Sequence, residues 1–270
     1  MPHTWIGLAL ALVAAVVTNT AYSLEHDAAA ELPPLSPSHP LRSARLLLRE
    51  RRWLIAFATE SAGWLVYVAA LRLAPLALVQ AVTASGVAVL AFLTARGYPS
   101  RLARREQSAV VLALAGLVLL GLSLVGTTPS DRHPSVIGAV VWLAACGGAA
   151  ALLIAEPTHL ARAASLGLAA GFLLADGDMS AKLIGYGGLW FIALTTLIVA
   201  YAVGTSVLQY AYQHGNALTG AGSATLVTNA VPILAAFVLF HETLPHGVRA
   251  VLQCAAFAAI VLSAVGLGRK

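Results

Sequence analysis

The feature that most restricts this chain is a near-continuous succession of apolar runs, each close to the roughly 20 residues of helix that cross a bilayer core of about 30 Å. Inside hydrocarbon no water is at hand for backbone N–H and C=O groups, so such a segment must satisfy them within itself, as an α-helix does. Nine runs can be drawn, at 4–23, 53–71, 74–95, 108–126, 135–155, 162–185, 188–210, 217–240 and 248–267. The expected fold is all-α, a polytopic transmembrane bundle of nine helices. Charged residues make up only 10% of the chain, against about a quarter in soluble domains, so almost nothing remains for a soluble domain.

Charge placement sets the expected topology, because Lys and Arg accumulate in cytoplasmic loops. With nine spans, Arg42, Arg45, Arg49, Arg101, Arg104 and their neighbours share one side with Arg269 and Lys270, leaving Arg72, Arg132 and Arg249 on the other. The N-terminus is therefore expected outside and the C-terminus in the cytoplasm, with the plasma membrane as the site. Met1 to Ile6 holds no Lys or Arg, so the first span reads as a retained anchor rather than a cleaved signal. The expected cytoplasmic loop 24–52 carries four prolines between residues 33 and 40. After them LRSARLLLRERR has the spacing of an amphipathic helix on an anionic leaflet, and topogenic charge explains it equally well. Cys146 and Cys254 fall within spans and read as small core residues, with no disulfide or metal spacing.

Ionisable groups within spans are expensive and mark pathways by default. Asp176, Asp178 and Lys182 lie in LGLAAGFLLADGDMSAKLIG, residues 166–185, whose apolar part is too short to span by itself. Asp178 and Lys182 are four residues apart, the spacing of an intrahelical pair. They read either as a gate pair, or as a lysine that snorkels and aspartates that end the helix. Glu60 is the lone carboxylate of the second span, with Gly63, Trp64 and Tyr67 on roughly its face. Asn19, Tyr67, Gln209, Thr228 and Asn229 are the neutral hydrogen-bonding candidates for the same pathway. Glu156 and His159 read as solvated turn residues, and His241, Glu242 and His246 as one outside turn.

Internal similarity points to a duplicated architecture. IGLALALVAAVVTNTAYS from Ile6 aligns without gaps on LGLAAGFLLADGDMSAKL from Leu166, placing Thr18 on Asp178, Thr20 on Ser180 and Tyr22 on Lys182. AVLAFLTARGY likewise matches PILAAFVLFHE at an offset of about 144, the kind of pairing that inverted-repeat transporters leave in sequence. The expected organisation is a first repeat over 1–126, a connector span within 127–161 and an inverted second repeat over 162–270.

The opening WIGLALALVAAVVTNTAYSL, the turn ALRLAPLALVQAV, the segment DGDMSAKLIG and the terminal NAVPILAAFVLFHETLPHGVRAVLQCAAFAAIVLSAVGL carry a resemblance to the drug/metabolite transporter superfamily (EamA-type). The nine-span layout looks most like its NIPA-like magnesium-transporter branch. That resemblance implies transport by alternating access, with Glu242 matching a glutamate that follows the penultimate helix and Lys182 a lysine of the sixth span. The chain departs from the pattern at Arg96, Gly97 and Tyr98, where an acidic residue would be expected, and Glu60 lies about one turn early.

These readings converge on a secondary transporter for a small metabolite, a drug-like compound or a divalent cation such as magnesium. A lipid translocase and a non-transporting membrane subunit are the alternatives. Enzyme activity is not expected, since no nucleophile motif, metal cluster or phosphate-binding Gly loop occurs. The expected partners are the bilayer and a small-molecule or ion substrate, with no nucleic acid and no cofactor; whether a metal binds and whether the chain forms a homodimer stay open.

Overall fold

The computed structural model describes residues 2–35, 40–74, 76–97, 104–123, 134–155, 162–240 and 246–268. Among them the secondary structure is helical, with no strand: α1 (Pro2–Ala30), α2 (Pro40–Leu47), α3 (Arg51–Leu71), α4 (Leu76–Thr83), α5 (Gly86–Gly97), α6 (Arg104–Ser123), α7 (Val136–Ala155), α8 (Arg162–Ile184), α9 (Ala193–Tyr212), α10 (Ser223–Val238) and α11 (Val248–Gly268). A 3₁₀ turn, Gly188–Ile192, leads into α9 and a π-helical turn, Leu218–Gly222, leads into α10. Five segments are long and apolar enough to cross a bilayer: Thr4–Ala30, Arg51–Leu71, Val136–Ala155, Gly188–Tyr212 and Leu218–Val238. Large apolar side chains such as Ile137, Val141, Leu152, Ile192 and Val251 stand exposed on the outside, a surface suited to lipid rather than water.

The stretch that carries Asp176, Asp178 and Lys182 is α8, and it is the centre of the bundle. It packs against α7, α9 and α10, and most of its residues are buried. Its charges are therefore surrounded by protein, which is why a helix of lower hydropathy than its neighbours is tolerated here. On the other side α1 packs against α3, α4 and α5, and α6 packs against α11.

Two expected boundaries differ. The first helix does not stop at residue 23 but continues to Ala30, so the expected loop 24–52 begins a full two turns later. The added turns are held by α9 and the turn after it: Gln209 donates to Glu25, and the His26 ring lies 3.0 Å from the Gly215 carbonyl. Within the remainder of that segment α2 does form, its Leu47 packing with Ala28, Leu35 and Trp53 while Arg42 and Arg45 stay exposed.

The expected third span, 74–95, is broken into α4 and α5. Ser85 donates to the Val82 carbonyl at 2.6 Å, the local side-chain bond by which Ser and Thr compete with a helix ladder. Gly86 follows against α1, where any side chain would run into the Asn19 amide. A broken helix is admissible at membrane depth where it borders a cavity, and this one does.

Candidate functional site

A cavity of about 100 Å³ lies between α1, α3, α4, α8, α9 and α10. Of the candidates read from sequence, Asn19, Glu60, Tyr67, Asp178, Thr228 and Asn229 line it. Each arrives on a different local logic. Helix α1 presents Ala14, Thr18 and Tyr22 at helical spacing, α3 presents Glu60, Trp64 and Tyr67, and α8 presents Leu174 and Asp178.

Asp178 is held by other helices. The Tyr201 hydroxyl of α9 donates to its Oδ1 at 2.6 Å, and Gln80 of α4 reaches its Oδ2 at 3.5 Å. Behind these donors a second layer fixes them. Trp64 Nε1 donates to the Tyr201 oxygen at 3.0 Å, and Gln80 also donates to Tyr67 at 2.7 Å. Gly177 makes room for this network, since a Cβ there would come within 2.7 Å of the Tyr201 ring. Across the cavity Thr83 donates to Asn229 Oδ1 at 2.7 Å, and Asn229 Nδ2 donates to the Thr225 carbonyl at 2.7 Å. Thr228 turns back to the Gly171 carbonyl at 3.3 Å.

Glu60 is treated differently. Its side chain stands against Glu25 and Tyr22 of α1, and its Oε2 is buried with no hydrogen-bond donor. Glu25 is fully buried; Gln209 donates to its Oε2, while its Oε1 also lacks a donor. Two carboxyl groups this close, away from water, need a proton or a cation to balance them. Asn19 Oδ1 and the Thr225 hydroxyl are further buried groups without partners, at a place where nearly all such groups are normally satisfied. The lining contains the carboxylates of Glu60 and Asp178 and no basic residue among those described.

Four expectations are corrected. Asp178 and Lys182 do not form a gate pair: the ion pairs among the described residues are His26–Asp27 and Arg52–Glu31, and the Lys182 ammonium lies 3.8 Å from the centroid of the Phe240 ring. Lys182 sits in the last turn of α8, where the helix dipole also favours a cation, and it does not line the cavity. Asp176 does not converge with Glu60 and Asp178. Two residues along a helix turn a side chain by about 200°, and Asp176 lies beside Cys146 of α7, on the far side of α8. Gln209 belongs to the Glu25 contact rather than to the Asp178 wall. Cys254, read as a core residue, is exposed on α11. The acidic Glu242 and Glu156, with His241 and His159, lie outside the described residues.

Glu25, which stands beside Glu60, is carried by the pattern of α1 although a span drawn at 4–23 leaves it out. It falls three residues after Tyr22 and seven after Thr18, on the same face of α1. The run EHD invited an end to the span instead. Tyr201 and Gln80 left no signal as partners of Asp178, because interhelical donors are not written in intrahelical spacing.

No family model matches the chain, and neither the curated proteins nor the solved structures contain a match to it.

Proposed function

We propose that this protein is a secondary transporter that exchanges a proton for a cation-bearing small solute at the Glu25–Glu60 pair. The observation that carries the reading is the cavity itself: an acidic space enclosed by several helices, with no basic residue among the described ones that line it and with Oε2 of Glu60 left without a donor. A structural subunit has no need of that arrangement, and its cost in desolvation would select against it. A fully protein-held magnesium site is poorly supported. Hard cations take several oxygen ligands, Asp178 is already engaged by Tyr201 and Gln80, and among the described residues no three His, Cys, Asp or Glu are gathered so as to hold a metal ion.

The architecture belongs to the same proposal: nine spans, with two inverted four-helix repeats around a connector. Supporting it, α1 packs on α3 and on α4–α5 as α8 packs on α9 and α10, and the aligned residues Thr18 and Asp178 face the same cavity. Alternating access would then rock one repeat against the other around these residues. The Arg bias supports an N-terminus outside and a C-terminus in the cytoplasm, and the plasma membrane is part of the same proposal.

The test uses the purified chain in vesicles carrying a trapped pH-sensitive dye and an acid interior. Organic cations added outside should dissipate the gradient in a protein-dependent way, and magnesium should not. A panel in which no solute moves protons beyond empty vesicles would overturn the reading.

A further inference from the structure

Glu60 faces a second space as well. Between α3 and α9 a cavity of about 450 Å³ opens on the flank of the bundle, within the range of drug-sized sites. Its walls are mostly apolar: Trp53 and Phe57 of α3, stacked at 5.0 Å, face Leu197 and Ala202 of α9, with Leu47 of α2 and Leu48 of the turn after it across one end. Its inner end is polar, formed by Glu60 and Gln209. Phe57, Ser61, Ala202 and Ser206 are exposed on this flank, so the groove opens sideways from two helices that are themselves long and apolar enough to span.

Glu60, Trp64 and Tyr201 line both this groove and the interior cavity. The Trp64–Tyr201 hydrogen bond, with the rings edge to face at 6.1 Å, is therefore the partition between them. Among the described residues, neither lining holds a basic one. A phospholipid would bring its phosphate towards Glu60 and Glu25 and be repelled; a cationic head is attracted by the same carboxylates and by the aromatic faces beside them.

We propose that the groove admits amphiphilic organic cations from the bilayer, the head pairing with Glu60 and the alkyl or aryl body lying along Trp53, Phe57 and Leu47. Parting of Trp64 from Tyr201 then passes the head into the interior cavity. This rests on the transporter reading above and adds to it a substrate class and a route.

The experiment measures thermal stabilisation of the purified full-length protein in a nonionic detergent by n-alkyltrimethylammonium ions with chains of one to ten carbons. Affinity should rise about fourfold per methylene, the value expected for burying a CH₂, until the groove is filled. Ala202→Trp should flatten that dependence, and Glu60→Gln should weaken every member of the series at least tenfold. A bromine at the chain end should quench fluorescence of the unaltered protein in a way lost on Trp53→Phe, which tests the groove even if Ala202→Trp fails to fold. Stabilisation by tetramethylammonium with no gain from chain length would overturn the lateral groove and leave the transporter reading standing. No stabilisation by any member, or affinities in Glu60→Gln equal to those of the unaltered protein, would overturn the cationic assignment; the transporter reading would then stand or fall on the vesicle assay with other solutes.

Discussion

Asp178 and Glu60 line one cavity, yet both oxygens of Asp178 meet donors and Oε2 of Glu60 does not. Asp178 receives Tyr201 and Gln80, and each donor is itself held by another aromatic residue. Glu60 meets a second carboxylate and keeps a bare oxygen. A buried polar group that is fully bonded contributes rigidity and position; one that is not is costly unless something else arrives. On the function proposed above, the difference makes the more conspicuous charged motif, in α8, the scaffolding of the site, and the less conspicuous pair across α1 and α3 the place where a ligand or proton would be exchanged.

The largest effect should separate the two residues by activity. Glu60→Gln is expected to lower transport on the order of 100-fold, matching the roughly 2 to 5 kcal/mol lost when one partner of a buried charged contact is cut, while the folded yield stays near that of the unaltered protein. Asp178→Asn, which keeps an oxygen for Tyr201, should retain most of the activity. Comparing initial rates in vesicles, normalised to folded protein, checks this; equal losses would erase the distinction.

A smaller effect should appear in stability and fall on the other residue. Asp178→Ala leaves the Tyr201 hydroxyl without its acceptor and should cost about 1 to 3 kcal/mol, read by chemical or thermal unfolding in detergent. Glu60→Ala removes an unsatisfied group and should cost less. The reverse order would mean that Glu60 is the structural residue.

Gly177→Ala tests the network without touching a polar atom. The added methyl meets the Tyr201 ring, and overpacking of this kind costs about 1 to 3 kcal/mol, here expected at the low end because the ring can tilt. The tilt should break the Trp64–Tyr201 bond, visible as a change in tryptophan emission. An unchanged spectrum would show that Gly177 is merely small.

The smallest effect is a null coupling. Asp178 and Lys182 engage different partners, so a double-mutant cycle with Asp178→Ala and Lys182→Met should give a coupling below about 0.5 kcal/mol, as for residues that do not share a contact. A coupling of several times that would restore the gate pair.

Much of the helical layout was legible because bilayer-length apolar runs leave a backbone few alternatives. Glu60, Asp178, Asn19 and Asn229 were legible as residues that line an interior cavity for a related reason: polar side chains in such runs need a protein-lined interior. The partners of those residues were not. The i, i+4 spacing of Asp178 and Lys182 proposes an intrahelical bond, whereas the actual donors come from α4 and α9, and no local pattern encodes which helices meet. The break between α4 and α5 was hidden similarly. Thr83, Ser85 and Gly86 are individually ordinary in a membrane helix, and it takes Gly86 against Asn19 of α1 and the Ser85 bond to the Val82 carbonyl to make an interruption of them. Glu25 was lost at a boundary, because three polar residues in a row look like an exit from the membrane until another helix is found to cover them.

The central claim, that the Glu25–Glu60 pair holds a proton which a cation displaces, is tested most directly by infrared difference spectroscopy on adding decyltrimethylammonium to the purified protein. The account predicts loss of a protonated-carboxyl band on binding, absent from Glu60→Gln and from Glu25→Gln but retained in Asp178→Asn. A band that persists on binding, or one abolished only by Asp178→Asn, would contradict it.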